Sequence, residues 1–169
     1  LQPDLQRLEG DDRLRIAPGP GSEPLILTLD PRAEIHSLTL DGAPQPLQRE
    51  GRRLVLARPP DAGGRPLELQ VIYRARYDDP APSQPVNTDN PGYGVTGTIT
   101  PDGVLLLGGA GWYPAVTGAR ESLVVEIEAP AGMRAVTSGR ALGAVTSSGK
   151  TVSRWEVAQV PEPLALAAG

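Results

Sequence analysis

The stretch Pro66-Leu67-Glu68-Leu69-Gln70-Val71-Ile72-Tyr73-Arg74-Ala75-Arg76-Tyr77 carries an apolar side chain at every second position. Leu67, Leu69, Val71, Tyr73, Ala75 and Tyr77 share one face; Glu68, Gln70, Arg74 and Arg76 share the other, interrupted only by Ile72. Side chains alternate sides along an extended chain, so this pattern predicts a half-buried strand long enough to bend across a sheet. The same period recurs on either side. Ser122–Ala129 turns Leu123, Val125 and Ile127 inward and Glu126 and Glu128 outward. Shorter strands are expected at Arg13–Ile16, Pro24–Leu29, Ile35–Leu40, Leu54–Ala57, Val104–Leu107, Met133–Thr137, Thr151–Val157 and Pro163–Ala167.

Turn residues separate nearly all of these runs. Asp41-Gly42 is a turn signal after one strand, Asp102-Gly103 and Ser148-Gly149 have the composition of tight hairpin turns, and Pro130-Ala131-Gly132 links two further strands. Gly and Pro supply 20 and 19 of the 169 residues, about twice ordinary usage. Both disfavour helix interiors. The expectation is an all-β chain: an antiparallel β-sandwich of about ten short strands with little or no helix, forming one domain over residues 1–169. Two segments read less clearly. Leu1, Leu5 and Leu8 have the spacing of a helix face but end at Gly10, so one helical turn and a frayed strand both fit. Asp78 to Thr98, with Pro80, Pro82, Pro85 and Pro91, reads as a long loop.

The composition also bounds the chemistry. With no Cys and one His, thiol catalysis and thiolate or multi-histidine metal sites are excluded within this chain. A net charge of -4 provides no attraction for phosphate backbones, which argues against nucleic acid as a partner. No apolar run approaches the ~20 residues that span a bilayer. His36 alternates with Leu38 and Leu40 onto one face, has no second ligand or base at a recognisable spacing, and reads as a structural or surface His. Asn87, Asp89 and Asn90 offer hard oxygen ligands, yet they lack the closing Glu of a calcium loop and are ordinary turn formers. Gly108-Gly109-Ala110-Gly111 follows an apolar strand, but no Lys-Ser/Thr comes after it, so it is not a phosphate loop. Close backbone packing ahead of Trp112 explains it better. Trp112 and Tyr113 read as core or interface anchors, with a ligand platform as the alternative.

Three segments, taken in order, resemble the N-terminal domain of the M1 family of zinc metallopeptidases, the aminopeptidase N and leukotriene hydrolase group. The first runs from Leu25 to Asp30 and through Ile35-His36-Ser37-Leu38-Thr39-Leu40-Asp41-Gly42 to Ala43-Pro44, continuing to the strand Leu67–Tyr73. The second is Trp112-Tyr113-Pro114, followed by Leu123–Pro130 and Ala131-Gly132-Met133-Arg134-Ala135-Val136-Thr137-Ser138-Gly139-Arg140. The third is Thr151-Val152-Ser153-Arg154-Trp155-Glu156, then Pro161 through Leu166-Ala167-Ala168-Gly169.

The resemblance implies a non-catalytic domain of a longer peptidase. Zinc and the general-base Glu would lie on an HExxH helix of the catalytic domain that follows, so no cofactor and no catalytic residue is expected in this chain. The implied partners are that catalytic domain and, through the whole protein, a peptide substrate. Gly108, Gly109, Ala110 and Gly111 would line the substrate cleft by their position in the family pattern. Where the family carries a Gln that holds the substrate amine, this chain reads Leu107-Gly108-Gly109-Ala110-Gly111, which implies a divergent branch. The alternative reading is a free-standing β-sandwich module that binds carbohydrate or protein. Exposed, coplanar Trp112 and Tyr113 would mark it.

Overall fold

A computed structural model describes residues 1–17, 23–59, 65–80, 95–116, 122–158 and 163–169. They form fifteen strands, and no α-helix occurs among the described residues. The first seven strands are β1 (Arg7–Ile16), β2 (Leu25–Thr28), β3 (Glu34–Leu40), β4 (Ala43–Pro44), β5 (Gln48–Glu50), β6 (Arg53–Leu56) and β7 (Leu67–Arg76). After them come β8 (Gly97–Thr100), β9 (Gly103–Leu106), β10 (Ala115–Val116), β11 (Leu123–Pro130), β12 (Ala135–Thr137), β13 (Arg140–Ser147), β14 (Lys150–Val157) and β15 (Leu166–Ala168). The all-β antiparallel expectation holds. The five strands beyond the expected ten are the two-residue pieces β4 and β10, the edge strands β5 and β13, and β8 at the end of the expected loop.

The chain divides into two compact units. The first comprises Leu1–Leu8, Arg76–Ala110 and Arg120–Gly169; the second comprises Glu9–Ala75 and Gly111–Ala119.

In the second unit the sheet orders are β1-β7-β3-β4 and β10-β2-β6-β5. The alternation of β7 appears as burial, with Leu67, Leu69, Val71, Tyr73 and Ala75 all at 2% exposure or less. Leu38 and Leu40 stand opposite Val71 and Leu69 on β3, while Leu25 and Leu27 face Leu56 and Leu54 across the β2–β6 ladder. All are buried. Asp41, at a φ of 51°, and Gly42, at 79°, make the β3–β4 turn. The Asp41 carboxylate accepts the Glu68 amide at 2.9 Å and Arg65 Nη1 at 2.6 Å. The Glu68 bond first, and Arg65 after it, hold its pKa below the usual carboxylate range. His36 is a surface residue, and only its facing departs from simple alternation. Alternation would put it on the face of Leu38 and Leu40, but the ladder shifts register between Ile35 and Ser37, and His36 is exposed at that bulge. A bulge adds one residue to one strand and so reverses the facing of everything before it.

In the first unit the orders are β12-β15-β9-β8 and β11-β14-β13. Ile99, Leu106, Leu166 and Tyr77 are fully or nearly fully buried. Two side chains of β14 bind the main chain of Ala135 in the other sheet. Ser153 Oγ accepts its amide at 3.2 Å, and Trp155 Nε1 donates to its carbonyl at 3.2 Å. This satisfies the hydroxyl of Ser153, which is 2% exposed and would otherwise destabilise the core. Ser148 and Gly149, both at positive φ, turn β13 into β14, as Ser148-Gly149 predicts. The opening segment combines its two expected forms, a 3₁₀ turn over Pro3–Leu5 followed by β1, with Gln6 left-handed between them. Asp79 closes the long connection ahead of β8: its Oδ2 accepts the Thr96 amide at 2.8 Å, the Thr96 hydroxyl at 2.9 Å and the Gly97 amide at 2.9 Å. Asn87, Asp89 and Asn90 lie outside the described residues.

Candidate functional site

Beyond β9, Leu107 donates its amide to the Thr96 carbonyl at 3.0 Å and accepts the Ala110 amide at 2.8 Å. The second of these bonds closes Gly108–Ala110 into a 3₁₀ turn, and the first anchors its start to Thr96. Glycine is needed at the first of these positions, because a Cβ on Gly108 would stand 2.3 Å from the Pro163 carbonyl oxygen. Gly109 differs: a Cβ there would meet nothing within 4 Å. Ala110 is 1% exposed, so its methyl serves packing. Gly111, in the second unit, has a φ of 64° and presents its carbonyl to the Asp30 amide at 2.9 Å. A side chain at Gly111 would strike the Arg52 guanidinium.

Within the first unit, Gly108 and Gly109 line an open depression of about 930 Å³ together with Gly139, Arg140, Glu156 and Leu164, among others. Gly139 has a φ of 115°, and a Cβ on it would lie 2.4 Å from the Glu156 carbonyl oxygen. Glycine thus lines the depression at three places, and at Gly108 and Gly139 it lets two backbone segments pack closely. The one ion pair among its lining residues joins Arg140 and Glu156, with Arg140 Nε at 3.1 Å from Glu156 Oε2. Both side chains remain substantially exposed, where such a pair contributes little stability and is accessible to a ligand. The sequence reading singled out Gly108 and Gly109 but not Gly139, Arg140 or Glu156. The signal was present, since Gly139-Arg140 closes the second motif and Trp155-Glu156 lies within the third, but only the fold joins them.

Trp112 and Tyr113 are each 6% exposed. Their rings meet edge to face, with centroids 4.9 Å apart and planes at 64°. Neither the exposure nor the coplanarity of a ligand platform is present; they are core aromatics. Among the described residues, no group of three or more His, Cys, Asp or Glu side chains is placed to hold a metal ion. These residues do not fit a zinc site. No helix among them is long and apolar enough to cross a membrane.

No family model and no curated protein sequence matches the chain. Solved structures do. An M1 zinc metallopeptidase from Deinococcus radiodurans superposes with a TM-score of 0.70 at 19% identity, over 99% of this chain and 39% of that one. A mutant M1 zinc metallopeptidase from the same organism, bound to a Tyr-Ser-Ala substrate, gives 0.68 at 20% identity over the same shares. Yeast LTA4 hydrolase in complex with bestatin gives 0.60 at 15% identity, over 99% of this chain and 27% of that one. The chain thus has a fold found within M1 zinc metallopeptidases, and it spans about two fifths or less of the length of these enzymes.

Proposed function

We propose that residues 1–169 are the N-terminal domain of an M1-like zinc metallopeptidase, a single non-catalytic domain that packs on the catalytic domain. In this reading it walls one side of the peptide cleft, with Gly108, Gly109, Ala110 and Gly111 as the lining. The observation that carries it is the fold likeness over 99% of this chain to part of a much longer peptidase. The order of the three sequence segments, ending in Leu166-Ala167-Ala168-Gly169, supports it independently.

The chain's own part would be shape rather than chemistry. The open face at Gly109 leaves room for an extended peptide backbone, and the Arg140–Glu156 pair offers a charge of each sign nearby. Zinc would belong to the catalytic domain and would polarise the scissile carbonyl there.

The purified chain, given zinc, should hydrolyse neither Tyr-Ser-Ala nor aminoacyl nitroanilides. Turnover that co-purifies with the chain and resists removal of contaminating proteases would overturn the reading. The coding sequence beyond Gly169 provides the second test. An HExxH with a further Glu downstream is expected, and a stop codon in that place would rule out the parent enzyme.

A further inference from the structure

Strand β13 is the last strand of the sheet β11-β14-β13, which lies wholly in the first unit, and all eight of its residues are exposed. Its outer edge is therefore bare among the described residues. The hairpin fixes which main-chain groups lie along that edge. Ser148 and Gly149, at φ of 51° and 78°, form a two-residue turn between Ser147 and Lys150, and the residues flanking such a turn share a hydrogen bond. Antiparallel pairs alternate between bonded and non-bonded, so Val145 and Gly143, like Ser147, are bonded toward β14. The N–H and C=O of Ala144 and Thr146 point the other way, to the open edge.

The two edges of this sheet are finished differently. Strand β11 carries Glu126, Glu128 and Pro130, the charge and the proline that keep an edge from pairing further. From Gly143 to Ser147, β13 reads Gly-Ala-Val-Thr-Ser, with neither charge nor proline. Val145, 69% exposed, is the centre of that stretch and stands beside Val152 of β14. The charged groups nearby are already paired within the sheet: Arg154 with Glu126 at 2.7 Å, Lys150 with Glu128 at 2.6 Å, and Arg140 with Glu156.

An edge of this kind accepts an extended strand. Its neutrality gives no preference for an acidic or a basic segment, whereas the stretch matches its own reverse, with small residues on either side of one valine. We propose that two copies of the chain pair antiparallel through β13 about a two-fold axis at Val145, joining two three-stranded sheets into one. Ala144 and Thr146 of each copy exchange main-chain hydrogen bonds with Thr146 and Ala144 of the other. The two Val145 side chains meet, and with Val152 beyond each they form a row of valines across the joint. Gly143 stands opposite Ser147, so no charge faces a like charge in the paired stretch. The bulge between Ala141 and Gly143 limits the pairing to Gly143–Ser147, and an interface this small implies weak association.

Sedimentation equilibrium of the 169-residue chain, from about 1 µM to 1 mM, tests the proposal. The chain should pass from monomer to dimer as its concentration rises, with no larger species. Val145→Lys sets two ammonium groups against each other at the joint and should abolish the dimer over that range. Because the chain has no Cys, single cysteines map the register. Diamide should cross-link Val145→Cys into a covalent dimer, since the two sulfurs face each other. Ser147→Cys should stay uncross-linked, because its two copies lie roughly 14 Å apart, beyond disulfide reach. A chain that is monomeric at every concentration would overturn the proposal and leave the edge to an unlike strand. A dimer that survives Val145→Lys, or equal cross-linking at positions 145 and 147, would overturn it as well. The unmutated chain decides the first outcome without any variant, and the exposure of Val145 makes its substitution compatible with folding. The proposal does not depend on the peptidase reading.

Discussion

Strands β7 and β13 are both well paired, yet they are built on opposite terms. In β7 one face is wholly inside the second unit, and each inward residue is 2% exposed or less. In β13 all eight residues are exposed. It keeps its place through its ladder with β14 and the turn at Ser148 and Gly149. Burial leaves a record in the sequence, since a strand with one buried face must alternate. An edge strand held by backbone bonds leaves none. Side chains should therefore dominate the stability of β7, and backbone conformation that of β13.

Three substitutions sharpen or break that contrast. Leu69→Ala on β7 removes buried volume from a packed core and should cost about 2–5 kcal/mol, read as a lowered urea midpoint with Trp112 as the fluorescent reporter in a Trp155→Phe background. A loss below about 1 kcal/mol would mean that this core is loosely packed and that the contrast is false. Gly149→Ala comes next. Its φ of 78° is left-handed, and a side chain there should cost roughly 1 kcal/mol, seen as faster amide exchange across β13 and β14. Unchanged exchange would show that the turn does not hold the hairpin. The smallest effect should come from Val145→Thr, at a residue 69% exposed, with a change within about 0.5 kcal/mol. A larger loss would reveal packing on this face.

The same distinction explains what was legible in the sequence. The β7, β11 and β14 runs and the turns at Asp41-Gly42 and Ser148-Gly149 were readable because each is a local signal, either period-two burial or a residue pair suited to positive φ. The bulge at His36 was not, because an inserted residue looks identical in sequence to a continued strand until its partner is known. Strand β8 was hidden because Gly97 lies against the Tyr77 ring, where a Cβ would be 2.5 Å away, so one of its inward positions has no side chain to announce it. The candidate depression was half legible. Gly108 and Gly109 stood out as a cluster, whereas Gly139, Arg140 and Glu156 reach it through the pairing of β13 with β14, in which Arg140 stands opposite Glu156.

The three hydrogen bonds gathered by Asp79 have a consequence for how this chain can diversify. By tying the main chain at Thr96 and Gly97 to a single carboxylate, the fold fixes both ends of the connection before β8 without reference to what lies between them. Loop-closure entropy grows only with the logarithm of length, so doubling the number of residues between the two anchored ends would cost about 0.6 kcal/mol. Residues inserted between Asp79 and Thr96 should therefore leave the pairing of β8 with β9 in register. One carboxylate makes the segment an interchangeable part.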